Sequence, residues 1–427
     1  MAITDTTFIT RSLTARLFST VTTIAIVALG VGLMLVLLGM RDAGEAAFRR
    51  GKGNMHMLIS GPQQDPMVSV LNSVFYAGTP RTPLPWATCQ SLAARYPLEW
   101  AIPTQLGDSY RGLPVMGTTP EFFTRFQPAD GVAWTFAEGQ CFAAPFELVV
   151  GAEAARVAGL KIGDKINLTH GTPKRGEPGH VHDEFGYHVV GILSPSATLH
   201  DRAIFSDLTS AWILHADERR ERELGPDAGL TTADELIDSD RKITGVYARV
   251  MTREGSGTPA ALQQVFDLLR SDPEITVAAP DQEIGKLFKI VSNVDRIIVA
   301  LAATVLVVGA ITIMLVLYQA MEQRRRQIAV LRVLGCSRMR VFGLVVTESA
   351  VIGTAGAVAG VLVSLVGSRV VAGELYRRMN LVIDPGLDPR IVLGVVLGTI
   401  VLASVAGLVP AISAYRTGVI RNLRPIA

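Results

Sequence analysis

Charge is scarce in this 427-residue chain, where only 18% of residues are Asp, Glu, Lys or Arg. Almost half the residues are apolar and mean hydropathy is positive, a balance unusual for a soluble globular chain. Cysteine is scarcer still. Cys89, Cys141 and Cys336 are the full complement, and no metal-type Cys spacing is present. There is no phosphate-cradling G-x-x-x-x-G-K-[ST] loop. Lys52, Lys161, Lys165 and Lys286 lie near glycines, but none is set in that pattern, so the chain is not expected to hydrolyse ATP. The absence of H-E-x-x-H and of a G-x-S-x-G nucleophile turn argues against a protease. No basic cluster is interleaved with stacking aromatics, and nucleic-acid binding is set aside.

What the chain does have is long apolar runs. Leu17–Met40 holds 24 residues without a charge and Ile297–Met321 holds 25. Val341–Ser368 holds 28 with only Glu348 charged, and Ile391–Tyr415 holds 25 with none. A bilayer core about 30 Å thick needs about 20 apolar helical residues, so all four runs are long enough to span. The first, flanked by Arg11 and Arg16, is longer than a usual signal h-region and is expected to stay as an anchor. No internal repeat is visible, and one span followed by three does not match inverted-repeat transporters.

The expected fold class is therefore a membrane protein with four transmembrane α-helices and a large mixed α/β extracytoplasmic domain between spans 1 and 2. Arginine placement sets the orientation. Arg11 and Arg16 precede span one, Arg324–Arg326, Arg332, Arg338 and Arg340 lie between spans two and three, and Arg416, Arg421 and Arg424 follow span four. Those segments are assigned to the cytoplasm of a cell with the chain in its inner membrane. Residues 41–290 carry 24 Lys and Arg against 31 Asp and Glu. The expected order is an interfacial helix at 1–16, spans at 17–40, 297–321, 341–368 and 391–415, the external domain with stalk helices at 41–290, a cytoplasmic loop at 322–340, an external loop at 369–390 and a tail at 416–427.

Within the external domain, strand-like runs are Glu147–Val150, Lys165–Thr169, Tyr187–Leu193, Ile243–Val250 and Ile275–Ala279. Helices are expected at Pro85–Tyr96, Ala152–Ala158 and Pro259–Leu269, with turns at Gly61-Pro62, Gly163-Asp164 and Gly171–Gly179. Asp217–Asp240 reads as an exposed helix or loop. Gln282–Asn293 has no proline and runs on into span two. Cys89 and Cys141 are compatible with a disulfide in an oxidising compartment; two unpaired thiols fit equally well. Six of the seven histidines fall between His170 and His215. Alternation puts His180 and His182 on one face of an extended segment, where with Asp183, Glu184 or His188 they make a candidate zinc site; the alternative is a solvated polar loop. Glu348, alone in a span, is read as snorkelling or as a partner for a loop arginine. Gly353, Gly356 and Gly360 recur at a spacing that suits close helix packing.

After span two the chain reads Arg324-Arg-Arg-Gln-Ile-Ala-Val-Leu-Arg-Val-Leu-Gly-Cys-Ser-Arg338, and it closes with Leu408-Val-Pro-Ala-Ile-Ser-Ala-Tyr-Arg416 and Arg421-Asn-Leu-Arg-Pro425. Val149-Val-Gly-Ala-Glu-Ala-Ala-Arg-Val-Ala-Gly-Leu-Lys-Ile-Gly-Asp164 and Tyr187-His-Val-Val-Gly-Ile-Leu193 stand in the external domain. In this order the segments resemble the FtsX-like permease family, which includes the MacB and LolC/LolE permeases. Gln327 and Cys336 depart from the family's usual Glu and Ala. The resemblance implies a non-enzymatic permease of an ABC transporter, working as a homodimer or with a related permease. A separate ATP-binding subunit carrying ATP and magnesium would drive it. The external domain would then move, with export or extraction of a cargo and a periplasmic partner or lipoprotein beyond it. An alternative is a regulator that transmits motion to an external partner without transport. Arg324, Arg325, Arg326, Gln327, Arg332, Gly335 and Arg338 form the expected ATPase-coupling element, its apolar face carrying Ile328, Leu331 and Leu334.

Overall fold

The structure, a computed structural model, describes residues 5–171, 184–225, 229–253, 259–323, 325–333, 335–379 and 386–416. Helix α1 (Asp5–Thr14) leads into α2 (Leu17–Gly51), after which the chain enters a sheet-rich region. Its strands are β1 (Met57–Ser60), β2 (Leu84–Pro85), β3 (Leu98–Tyr110), β4 (Leu113–Thr118), β5 (Phe136–Gly139), β6 (Glu147–Val150), β7 (Lys165–Ile166), β8 (Thr169–His170), β9 (Tyr187–Leu193), β10 (Ile204–Asp207), β11 (Lys242–Ile243), β12 (Gly245–Val250) and β13 (Thr276–Ala278). Between them run α3 (Pro66–Ser73), α4 (Trp86–Arg95), α5 (Glu121–Thr124), α6 (Ala152–Ala158), α7 (Leu208–Leu224) and α8 (Leu262–Arg270). The chain then forms α9 (Pro280–Gln323), α10 (Arg325–Val333), α11 (Arg338–Met379), α12 (Pro389–Ala406) and α13 (Leu408–Tyr415).

Contacts divide the molecule into two compact units. One gathers Met1–Gly44, Ile290–Tyr376 and Ile383–Ala427; the other gathers Glu45–Lys289 with Arg377–Val382. Four helical stretches are long and apolar enough to cross a membrane, at Leu17–Gly51, Val299–Gln323, Arg338–Leu375 and Pro389–Tyr415.

In the inserted unit one mixed sheet takes the order β13-β1-β12-β3-β4-β10-β6-β9-β5, with β7 on β9 and β8 on β3. Pairing is antiparallel except for β4 with β10 and β6 with β9. Strand β9 alternates buried and exposed along Tyr187–Leu193, the period-2 signature of a half-buried strand. Helix boundaries follow local chemistry. Asp65 caps α3 ahead of Pro66 by accepting from the Met67 and Val68 N–H groups, and Asp207 caps α7 through Thr209. Gly159 ends α6 in the left-handed region, which costs glycine no Cβ clash. One apolar cluster joins Ile59, Leu84, Leu92, Trp212, Val246 and Val265; another joins Leu113, Leu148, Ala154, Ile166, Tyr187 and Ile204. Cys89 is a free thiol within the first cluster and Cys141 is a second free thiol. Burial pushes them up to about 12 and about 11, values that disfavour the thiolate.

The membrane unit is held by Val27, Val31 and Leu35 of α2 against Ile313 and Leu317 of α9, Ile352 of α11 and Ala403 of α12. The glycine spacing in α11 has the expected consequence. A Cβ on Gly356 would stand 2.6 Å from a Val27 methyl, one on Gly360 2.5 Å from Val31, and one on Gly353 would collide with Ala403. Only a missing side chain permits those approaches. Span four is broken between α12 and α13, three residues ahead of Pro410, which has no N–H to continue the ladder. Helix α11 runs on to Met379, through the first half of the segment 369–390 expected as a loop. An apolar run marks where lipid-compatible side chains stop. It does not mark where backbone hydrogen bonding stops, and Val370 to Leu375 contains no proline to end the helix.

Candidate functional site: the segment between spans two and three

The basic segment after α9 folds into the short helix α10, Arg-Arg-Gln-Ile-Ala-Val-Leu-Arg-Val. Ile328 and Ala329 are buried and anchor it. Ile328 joins Ala320 and Met321 at the end of α9, Val341 and Val345 in α11, and Ala411 and Ala414 in α13. Gly335 then adopts φ +96°, a turn open to glycine at no steric cost, and its N–H donates to the Arg332 carbonyl at 3.2 Å. Ser337 starts α11, its Oγ accepting from the Arg340 N–H at 3.2 Å, as a helix cap does. The Arg338 guanidinium lies 5.9 Å from the Tyr415 ring centroid, within cation–π range. Val330 and Val333 of α10 and Met339 of α11 are exposed, Met339 by 69%. The segment therefore presents apolar side chains among arginines from a pinned backbone.

Of the expected coupling residues, Gly335 and Arg338 stand at the turn and at the start of α11. Arg332 is half-buried in α10. Arg325, Arg326 and Gln327 lie on α10 by backbone; Arg324 and Leu334, and the side chain of Leu331, lie outside the described residues. Ala329 was missed as an anchor. Its small side chain gives little apolar signal, yet it is fully buried.

A second polar site lies in the membrane unit and was only half legible. Glu348 is 2% exposed and its Oε1 accepts from Ser12 Oγ at 2.6 Å and from Arg16 Nη2 at 3.2 Å. Arg16 Nη2 also donates to Ser12 Oγ, and Nη1 donates to the Val316 carbonyl at 3.2 Å. The arginine partner of Glu348 thus comes from before span one and not from the segment between spans two and three. This network ties the α1–α2 junction, α9 and α11 together. A carboxylate taken out of water needs such compensation.

Among the metal candidates, His180, His182 and Asp183 lie outside the described residues. Glu184 and His188 are exposed, His188 standing in β9 beside Glu147 of β6 and Lys165 of β7. Among the described residues neither belongs to a converging set of three ligating side chains.

Residues 20–280 match the MacB-like periplasmic core domain, and residues 299–419 match the FtsX-like permease C-terminal region. The chain belongs to the FtsX/MacB-type permeases. It is also similar to an uncharacterized ABC transporter permease of Methanocaldococcus jannaschii, at 21% identity over 181 residues, 42% of this chain and 45% of that relative. The chain thus spans about half the length of that permease. The chain is similar to the extracellular domain of the noncanonic ABC-type transporter YknZ from Gram-positive bacteria, with 9% identity, a TM-score of 0.27, and coverage of 52% of this chain and 99% of that one. As an FtsX/MacB-type permease, the chain is a multi-pass membrane protein.

Proposed function

We propose that this permease is the membrane half of an ATP-driven machine in the cytoplasmic membrane, with α10 facing the cytoplasm and the inserted domain outside. A separate ATP-binding subunit, which carries the ATP and magnesium, docks on α10. Two permease chains pair, and nucleotide binding and hydrolysis move the inserted domains to export or extract a cargo held outside the membrane. The observation that carries this reading is the make-up of α10. Ile328 packs it against the helix ends and Ala329 is buried, while Val330 and Val333 stay exposed next to Arg332. A lipid headgroup would satisfy the arginines but not the valines; a protein groove satisfies both.

The test is a paired substitution, Arg332→Glu with Val333→Glu, in a tagged chain expressed with its cognate ATPase. The variant is expected to insert normally and to retain less than a tenth of the ATPase on purification, equivalent to a loss of about 1.4 kcal/mol or more. ATP hydrolysis by the purified chain on its own would overturn the division of labour. Undiminished retention in the variant would place docking elsewhere.

A further inference from the structure

Among the described residues one set of three ligating side chains does converge: Asp108 of β3, His170 of β8 and His215 of α7. One ligand atom from each lies within 4.8 Å of the other two. Register brings the first two together, because β3 and β8 are antiparallel and Asp108 faces His170 directly. A bulge between Leu106 and Asp108 re-aims the strand there, as bulges do next to sites. The β8 turn is fixed behind it. The Gly171 N–H donates to the Gly107 carbonyl at 2.7 Å, and Ser109 Oγ donates to the Gly171 carbonyl at 2.5 Å. His215, one helical face of α7, sets its ring at 87° to that of His170 with centroids 5.5 Å apart.

We propose that Asp108, His170 and His215 bind a divalent transition-metal ion, zinc above all, in the inserted domain. Two observations on the same carboxylate support this. First, the Asp108 side chain is only 8% exposed, and its Oδ1 is buried without a hydrogen-bond partner. A buried carboxylate oxygen left so is costly unless a cation meets it. Second, ligands 2.0–2.1 Å from a tetrahedral zinc stand about 3.4 Å from one another, and His170 Nδ1 lies 3.4 Å from Asp108 Oδ1. The His170 side chain is half exposed, so its ring is free of close packing on one side. Imidazole nitrogens favour zinc and its neighbours over calcium or magnesium, which take oxygen. Three protein ligands leave a fourth position open. His215 also lines an open cleft of about 630 Å³ with Gln105, Arg219 and Glu223, so the ion can be reached from solvent.

The experiment is zinc titration of the full-length, chelator-stripped protein in detergent, by competition with a chromogenic indicator. It compares wild type with Asp108→Asn, His170→Gln and His215→Gln, and with a His180→Ala/His182→Ala pair. One zinc per chain at micromolar affinity or tighter is expected, weakened at least tenfold by each of the three single changes and unchanged by the pair. Because the Asp108 side chain is buried and His215 partly buried, the half-exposed His170 supplies the variant that retains the fold. Zinc should also raise the unfolding temperature of wild type and not of His170→Gln. Binding that survives all three single changes would overturn the proposal. So would a loss in the His180/His182 pair as large as in the three.

Discussion

His200 is fully buried in the inserted domain, ringed by Tyr76, Phe122, Phe126 and Trp134. Its Nε2 lies 3.1 Å from the Gly51 carbonyl, and its Nδ1 lies 2.7 Å from the Tyr76 hydroxyl. Both ring nitrogens are satisfied by a neutral imidazole that donates from Nε2 and accepts at Nδ1. Burial lowers its proton affinity to about 4, against a smaller opposing pull from the Gly51 carbonyl. The unfolded chain takes up a proton near pH 6.5 and the folded chain only near 4, so stability is full above 6.5 and falls as pH drops towards 4. The loss should amount to about 3 kcal/mol. His56, half-buried and lowered to about 4 by burial and by Arg249, adds in the same direction. All four tryptophans, Trp86, Trp100, Trp134 and Trp212, belong to this unit. Denaturant unfolding followed by tryptophan fluorescence at pH 7 and pH 4.5 should therefore report it, and His200→Gln should shrink the difference to the part that His56 contributes. An unchanged pH dependence in that variant would mean other groups control acid stability.

Packing between helices sets the next prediction. Gly356→Leu would drive a side chain into Val27, and overpacking of this kind costs about 1–3 kcal/mol. The variant should lose thermal stability in detergent, whereas Gly343→Leu, where a Cβ meets nothing, should not. The close packing was legible because three glycines recur along an otherwise apolar helix. So were β6, β9 and α6, whose bounds coincide with the runs Glu147–Val150, Tyr187–Leu193 and Ala152–Ala158, since a single periodicity governs each. The run Lys165–Thr169 was less readable. It is split into β7 on β9 and β8 on β3, because the chain changes partners midway and propensity does not encode a partner. The charged stretch Asp217–Asp240, whose first part falls in α7, was expected as an exposed helix or loop. Arg219 instead pairs with Asp240 at 2.8 Å and Arg220 with Glu235 at 2.7 Å, and the Arg219 guanidinium holds the Asp240 carboxyl below its usual range. Asp108, His170 and His215 were the least legible, for they meet only through sheet register and the placing of α7. The same holds for Arg16 and Glu348, which lie 332 residues apart in the chain.

For the whole molecule the proposed orientation has a direct check. In a background with the three native cysteines replaced, Gln263→Cys on the exposed side of α8 should react with a membrane-impermeant maleimide in intact cells. Met339→Cys should react only after permeabilisation. The reverse pattern would invert the proposed topology. Beyond orientation, the inserted domain has a property set by how its sheet begins and ends. Its first strand, β1, and its last, β13, are antiparallel neighbours, with Leu58 opposite Ala278, Ile59 opposite Val277 and Ser60 opposite Thr276. Just outside them Lys52 pairs with Asp281, and Phe48 meets Phe288 at 5.6 Å. The two chain ends therefore leave the sheet side by side. A tug that parts them would peel three residue pairs in succession, like a zipper, with little resistance at any moment. A pull shared by both ends would leave the seam untouched and pass into the body of the sheet, so the domain answers to the two ends acting in step and yields when they disagree.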